Sequence, residues 1–218
     1  MSNQINKITK LYSFLQKEHG PPSGQWRLWC KKSKTIADRE EIIIGAILTQ
    51  NTNWSNVSKA MGQLKDKRAV NLVRIQDLGI RRLKAMIKPA GFFNSKAQYL
   101  KNIVDFVLSY GGVRKMMSMD FEKLRPEILK VKGVGPETAD SILNYALDLP
   151  VFVIDEYTRR IVKKFKITKK VDYNFLQNLF QNNIRKDFRL YQDFHALIVI
   201  YNKAPFTRHL ARLARLSC

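Results

Sequence analysis

The chain has 218 residues, 45% of them hydrophobic, enough to bury one large core or two small interlocked ones. Lys and Arg number 39 against 18 Asp and Glu, and the formal net charge of +21 implies a polyanionic partner, nucleic acid before a membrane surface. Two cysteines, Cys30 and Cys218, exclude a disulfide framework, and no C-x-x-C or H-x-x-x-H spacing marks a metal site. No apolar run approaches the roughly 20 residues of a membrane span. The start MSNQINKITK lacks a signal peptide's apolar region, so the expected location is the cytoplasm, in association with the nucleoid.

Helical periodicity dominates, and the expected fold class is all-α. Ile5 to His19 reads as an amphipathic helix ended by Gly20-Pro21-Pro22, and the loop from Ser23 to Lys34 carries Trp26 and Trp29. Asp38, with Glu41 three residues on, has the pattern of an N-cap opening the apolar helix through Ile42 to Leu48. That run ends in Thr49-Gln50-Asn51-Thr52, and another helix starts near Trp54. Ile80 to Ile87 is helical, Asn94 is expected to cap a helix to about Tyr110, and Asp120 to open the next. Val151 to Ile154 suits a short strand or an extended link. Helices follow over Tyr173 to Ile184 and Asp187 to Lys203, then a basic tail to Cys218.

The segment from Leu129 to Ile161 is the most informative. A helical stretch runs into Gly133-Val134-Gly135, then an apolar helix from Pro136, a β-rich run and a lone acid, Asp155. Glycines in a tight hairpin admit close backbone or phosphate approach, and the amides they expose form an anion-binding nest. Pro136 suits a first helical turn, where its missing N–H costs nothing.

This segment resembles the helix-hairpin-helix element of the endonuclease III superfamily of DNA glycosylases, whose catalytic aspartate follows the hairpin as Asp155 does. Gly45 to Thr52 resembles the family's helix ending in a gap-filling glutamine, here Gln50. Gly91-Phe92-Phe93-Asn94-Ser95-Lys96-Ala97 resembles its wedge loop, and Asp193-Phe194-His195-Ala196-Leu197 its penultimate helix. The resemblance, spanning about residues 38 to 203, implies a two-lobed fold. Residues 37–154 would form one helical lobe, and 1–36 plus 155–218 the other, with the active cleft between them.

Three departures refine the expectation. Glu137 stands where bifunctional members carry a Schiff-base lysine, and a carboxylate cannot form an imine. The resemblance therefore implies a glycosylase without a dedicated lyase; nearby Lys130 and Lys132 suit phosphate contact or solvated charge. Phe206, Leu213 and Leu216 fall where many members place cysteines of a four-iron cluster, so neither cluster nor any other cofactor is expected. Arg208, Arg212 and Arg215 would form a short basic helix or a frayed tail. Third, Gly-Pro-Glu-Thr-Ala-Asp around Glu137 is closest to the branch of the bacterial 3-methyladenine glycosylase of this fold. Trp54 matches the aromatic that stacks on the flipped base there, with Trp26 or Trp29 as further pocket wall. Leu197 replaces a pocket lysine of that branch.

The implied partner is double-stranded DNA with a damaged or mispaired base, bound by a monomer. Asp155 would stabilise the oxocarbenium ion as the base leaves, while also suiting an N-cap. Gln50 would fill the gap left by the base, Phe92 would wedge the stack or belong to the core, and Trp54 would stack on the flipped base or belong to the core. Gly133, Val134 and Gly135 would grip phosphate, with Arg81, Arg82, Lys84, Lys88, Lys96, Arg159, Arg160, Lys163 and Lys164 widening the footprint. The same residue in the related branch implies a surface or pocket-edge role for Glu137, and Asp140 and Glu156 read as helix or surface residues. Alkylated purine is the first substrate, mispaired uracil or thymine the second, and an oxidised base stays open. A non-catalytic DNA-binding module and an RNA-binding or nucleoid protein are the rivals from other classes.

Overall fold

The structure, a computed structural model, describes residues 2–204, with side chains from Lys7 onward. Phe206, Leu213, Leu216 and the arginines of the basic tail lie outside the described residues. The fold is all-α, with no strand among the described residues. In chain order the helices are α1 (Ser2–His19), α2 (Trp26–Trp29), α3 (Ile36–Leu48), α4 (Trp54–Asp66), α5 (Leu72–Asp77), α6 (Ile80–Ile87) and α7 (Phe93–Ser109). They continue as α8 (Val113–Met116), α9 (Phe121–Leu129), α10 (Pro136–Ser141), α11 (Glu156–Lys164), α12 (Tyr173–Gln181) and α13 (Phe188–Lys203). None is long and apolar enough to cross a membrane.

Helix starts differ from expectation where capping chemistry does. Thr35, not Asp38, caps α3: its hydroxyl accepts from the Asp38 N–H at 3.1 Å while the Asp38 carboxylate accepts from the Thr35 N–H at 2.7 Å. This reciprocal box, worth about 1 kcal/mol, starts the helix a turn early and leaves Asp38 inside it. Asn94 likewise caps nothing. Phe92, in the left-handed region at φ 45°, precedes α7. The short helices α2, α5 and α8 went unseen because four to six residues cannot display a helical period.

Two hydrophobic cores form. The first gathers α3, α4, α6, α7 and α10, and includes Trp26 and Trp29 of α2; the second gathers α1, α11, α12 and α13. Residues 151–154 are an extended link, not a strand. Val151 and Val153 pack into the first core, while Phe152 and Ile154 pack into the second. The side-chain alternation of extended backbone thus lets one short segment belong to both. Asp140 reinforces the crossing. It is fully buried rather than at the surface, and it accepts from Arg125 at 2.8 and 3.0 Å, Tyr173 at 2.7 Å and Gln177 at 2.7 Å. Arg125 lies on α9 of the first core, Tyr173 and Gln177 on α12 of the second. Four charge-assisted bonds satisfy a carboxylate that would be costly to bury alone.

Candidate active site

The extended link delivers Asp155 to the seam between the cores. The side chain is 8% exposed, and its Oδ1 caps α11, accepting from the Thr158 N–H at 2.7 Å and hydroxyl at 3.0 Å. Oδ2 lies 3.3 Å from His195 Nε2. Burial alone would raise this carboxyl's pKa; the His195 charge and the His195 and Thr158 contacts outweigh it, and the net shift is downward.

Asp155 borders a cavity of about 120 Å³ whose wall also includes Trp26, Trp29, Trp54, Gln50 and Glu137. The three tryptophans meet edge to face, with centroids 5.7 Å apart for Trp26 and Trp29 and 6.2 Å for Trp29 and Trp54. Gly45 favours this: a Cβ there would stand 3.2 Å from the Trp29 ring, close enough to make the ring shift by a few tenths of an ångström. Trp54 is half-buried, with one side on the core and the other on the cavity.

Gln50 joins the cavity to the hairpin. Its amide donates to the Gly133 carbonyl at 2.9 Å and to the Thr138 hydroxyl at 3.0 Å, leaving Oε1 as the unspent end. Gly133 has φ 95°, and a Cβ would fall inside the Tyr99 ring, so only glycine fits. Gly135 is extended at φ −90° with open space above it, so its requirement is not conformational. Val134 is buried and anchors the turn between them. Phe92 stands apart from the cavity and is 68% exposed, so it is not a core residue.

Glu137 is at the edge of the cavity, the surface or pocket-edge place that its resemblance implied, and burial, then the charge of Asp155, raises its carboxyl's pKa. Several other residues occupy places that sequence reasoning missed or misjudged. Leu197 is not in the wall; it is buried in the second core, where a lysine would be unpartnered. The pocket lysine is instead Lys203, whose Nζ lies 5.4 Å from the Tyr157 ring centroid. Burial lowers its pKa, against the pull of Asp155. His195, Val199 and Lys203 recur every fourth residue on α13, and that spacing was the available signal. Lys96 is 2% exposed and takes no part in a surface footprint, whereas Arg81, Arg82, Lys88, Arg160, Lys163 and Lys164 are exposed. Glu156 is a surface residue paired with Arg160 at 3.0 Å.

Residues 44–186 match the model of the HhH-GPD superfamily base excision DNA repair proteins. A candidate DNA repair glycosylase from Methanocaldococcus jannaschii is 40% identical over 205 residues, covering 92% of this chain and 89% of that one. An endonuclease III from Rickettsia felis is 30% identical over 165 residues, 76% of this chain and 69% of the other. Among solved structures, the 3-methyladenine DNA glycosylase of H. pylori, bound to 1,N6-ethenoadenine, superposes with a TM-score of 0.75 at 27% identity, covering 92% of this chain and 97% of that one. With its hairpin, buried aspartate and aromatic cavity, the chain belongs to the HhH-GPD superfamily of base excision repair proteins, a family of DNA glycosylases.

Proposed function

We propose that the protein is a monofunctional N-glycosylase that releases an alkylated purine such as 3-methyladenine from duplex DNA. One observation carries this: a buried carboxylate, Asp155, and three tryptophans line one cavity. The base, once extruded at a cost of a few kcal/mol, stacks on Trp54 with Trp26 and Trp29 as walls. Cationic alkylpurines have weakened glycosidic bonds, so stacking and cation–π attraction select them with little acid catalysis. Asp155 stabilises the positive charge that develops on the sugar. Gln50 occupies the vacated position, Phe92 wedges the stack, and Gly133, Val134 and Gly135 hold phosphate through their amides. In this reading residues 37–154 and 1–36 plus 155–218 act as the two walls of the cleft, and the enzyme works as a monomer.

The test is a direct competition between methylated duplex DNA and a duplex with a G·U mismatch. Release of 3-methyladenine should dominate and should be mostly lost in Trp54→Ala. A tenfold or greater preference for G·U would overturn the alkylpurine assignment in favour of a mismatch glycosylase. Abasic products should stay intact until alkali is added, since Glu137 cannot form an imine. Efficient borohydride trapping of an enzyme–DNA adduct would contradict the monofunctional assignment, and its loss in Lys203→Ala would locate the amine.

A further inference from the structure

Gln50 is held at both ends. Its backbone follows the last turn of α3, where the buried Lys96 side chain fixes the Leu48 carbonyl at 2.8 Å, and Asn51 after it lies in the left-handed region at φ 50°. Its side-chain amide meets the hairpin. The Gly133 carbonyl can only accept, so the group 2.9 Å from it is the amide's NH2 and not its oxygen. The second hydrogen goes to the Thr138 hydroxyl at 3.0 Å. Both partners are anchored: Thr138 is buried in the first turn of α10, and the Gly133 backbone is set by the Tyr99 ring against it. The donors are therefore spent, and what Gln50 has left to offer is a carbonyl oxygen alone. That oxygen accepts from no described residue, yet it is not sealed in, since Gln50 is half-buried and borders the cavity.

We propose that Gln50 selects the base opposite the lesion, as an acceptor that favours thymine or guanine over adenine or cytosine. The inference rests on the reading that Gln50 occupies the position vacated by the extruded base. A glutamine with a free amide pairs with any base, because it donates and accepts at once. With both hydrogens held by the hairpin, half of that capacity is gone. The centre of the Watson–Crick edge is a donor in thymine, N3–H, and in guanine, N1–H, and guanine adds its N2 amino group beside it. In adenine the centre is the N1 lone pair and in cytosine the N3 lone pair, and either would face the Gln50 oxygen as acceptor against acceptor. The preference narrows the substrate class. Thymine stands opposite an alkylated adenine, and cytosine opposite an alkylated guanine, so the hairpin's hold on Gln50 favours adenine lesions among the alkylated purines. Guanine opposite a mispaired uracil would satisfy the same oxygen, so the order of opposite bases does not depend on which of those lesions the cavity takes.

The test measures binding to duplexes that carry a tetrahydrofuran abasic analogue opposite each of the four bases in turn, a readout that needs neither excision nor a variant that folds. Wild type should bind the thymine and guanine duplexes about tenfold more tightly than the adenine and cytosine duplexes, the effect of exchanging one hydrogen bond for an unsatisfied pair of acceptors. Gln50→Leu removes the acceptor and should level the four affinities to within about threefold, whereas loss of a merely structural side chain would lower all four and keep their order. Thr138→Val frees one amide hydrogen to donate to a ring nitrogen, and should raise adenine and cytosine relative to the other two by at least about threefold. Equal wild-type affinities, a preference for adenine or cytosine, or an order that survives Gln50→Leu would overturn the assignment. Binding no abasic duplex more tightly than intact DNA would overturn the gap-filling reading of Gln50, and this assignment with it. A preference for G·U in the competition above strikes the alkylpurine reading alone.

Discussion

Asp155 illustrates how one side chain serves fold and chemistry without conflict. Its Oδ1 closes the first turn of α11 on Thr158, which holds Oδ2 toward the cavity. Asp155→Asn keeps an oxygen to accept from the Thr158 N–H but removes the charge. It should fold, bind DNA and lose at least about two orders of magnitude in base excision, measured under single turnover. Excision within tenfold of wild type would refute the catalytic assignment. Asp155→Ala is a poorer probe because it also removes a cap worth about 1 kcal/mol. The downward pKa shift means that the carboxylate's contribution is present above the usual carboxylate range and is lost only as pH falls through the lowered value.

At the scale of elements, Lys96 joins the two loops assigned to reading DNA. From α7 its Nζ donates at 2.8 Å to the carbonyl of Leu48, at the end of α3 before Gln50, and at 2.8 Å to that of Ala90, before Phe92. Lys96→Met would leave both carbonyls unpartnered, costing about 1–3 kcal/mol for each buried group left unsatisfied. The expected result is a lower Tm together with weaker excision. Burial pulls the lysine's pKa from its ordinary value of 10.5 down to about 8. Between those values the unfolded chain holds more protons, so this group makes stability rise as pH increases from about 8 to 10.5. Thermal melts of wild type and Lys96→Met across that window should differ in slope, and parallel curves would sink the prediction.

Across the whole molecule, the Asp140 cluster and the extended link hold two cores in one arrangement, on which the geometry of the seam depends. Asp140→Ala leaves Arg125 facing a buried vacancy and should cost about 3–5 kcal/mol, read by chemical denaturation. A loss below about 1 kcal/mol would mean that the cores are held by packing alone. The formal charge of +21 belongs to the same scale. Affinity for duplex DNA should fall steeply with salt, each neutralised phosphate contributing about −0.9 to the slope of log K against log[salt]. A slope near zero would show that the basic surface does not face the duplex.

Most helices were legible because buried helix faces impose a period on the sequence, and the hairpin was legible because Gly133 answers a steric demand that no other residue meets. Asp155 could be singled out from its place after that hairpin. The partners of these residues could not. Sequence periodicity reports which side of a helix is buried, but not what lies opposite, so Lys96 read as surface charge, and Asp140, which does lie in a helix, could not be told from a surface residue. The 2.7 Å approach of the Tyr145 hydroxyl to His195 Nδ1 depends on a π-helical turn over Ile142–Ala146, and the 3.3 Å approach of His195 Nε2 to Asp155 on how two cores dock. Leu197 lies in the second core and Lys203 in the cavity wall because the rotation of α13 about its axis is set by packing against α1 and α11. The chain by itself determined the helices, the hairpin and the acid; tertiary docking decided which side chains share the cavity, because contacts distant in sequence are fixed by the mutual fit of whole elements.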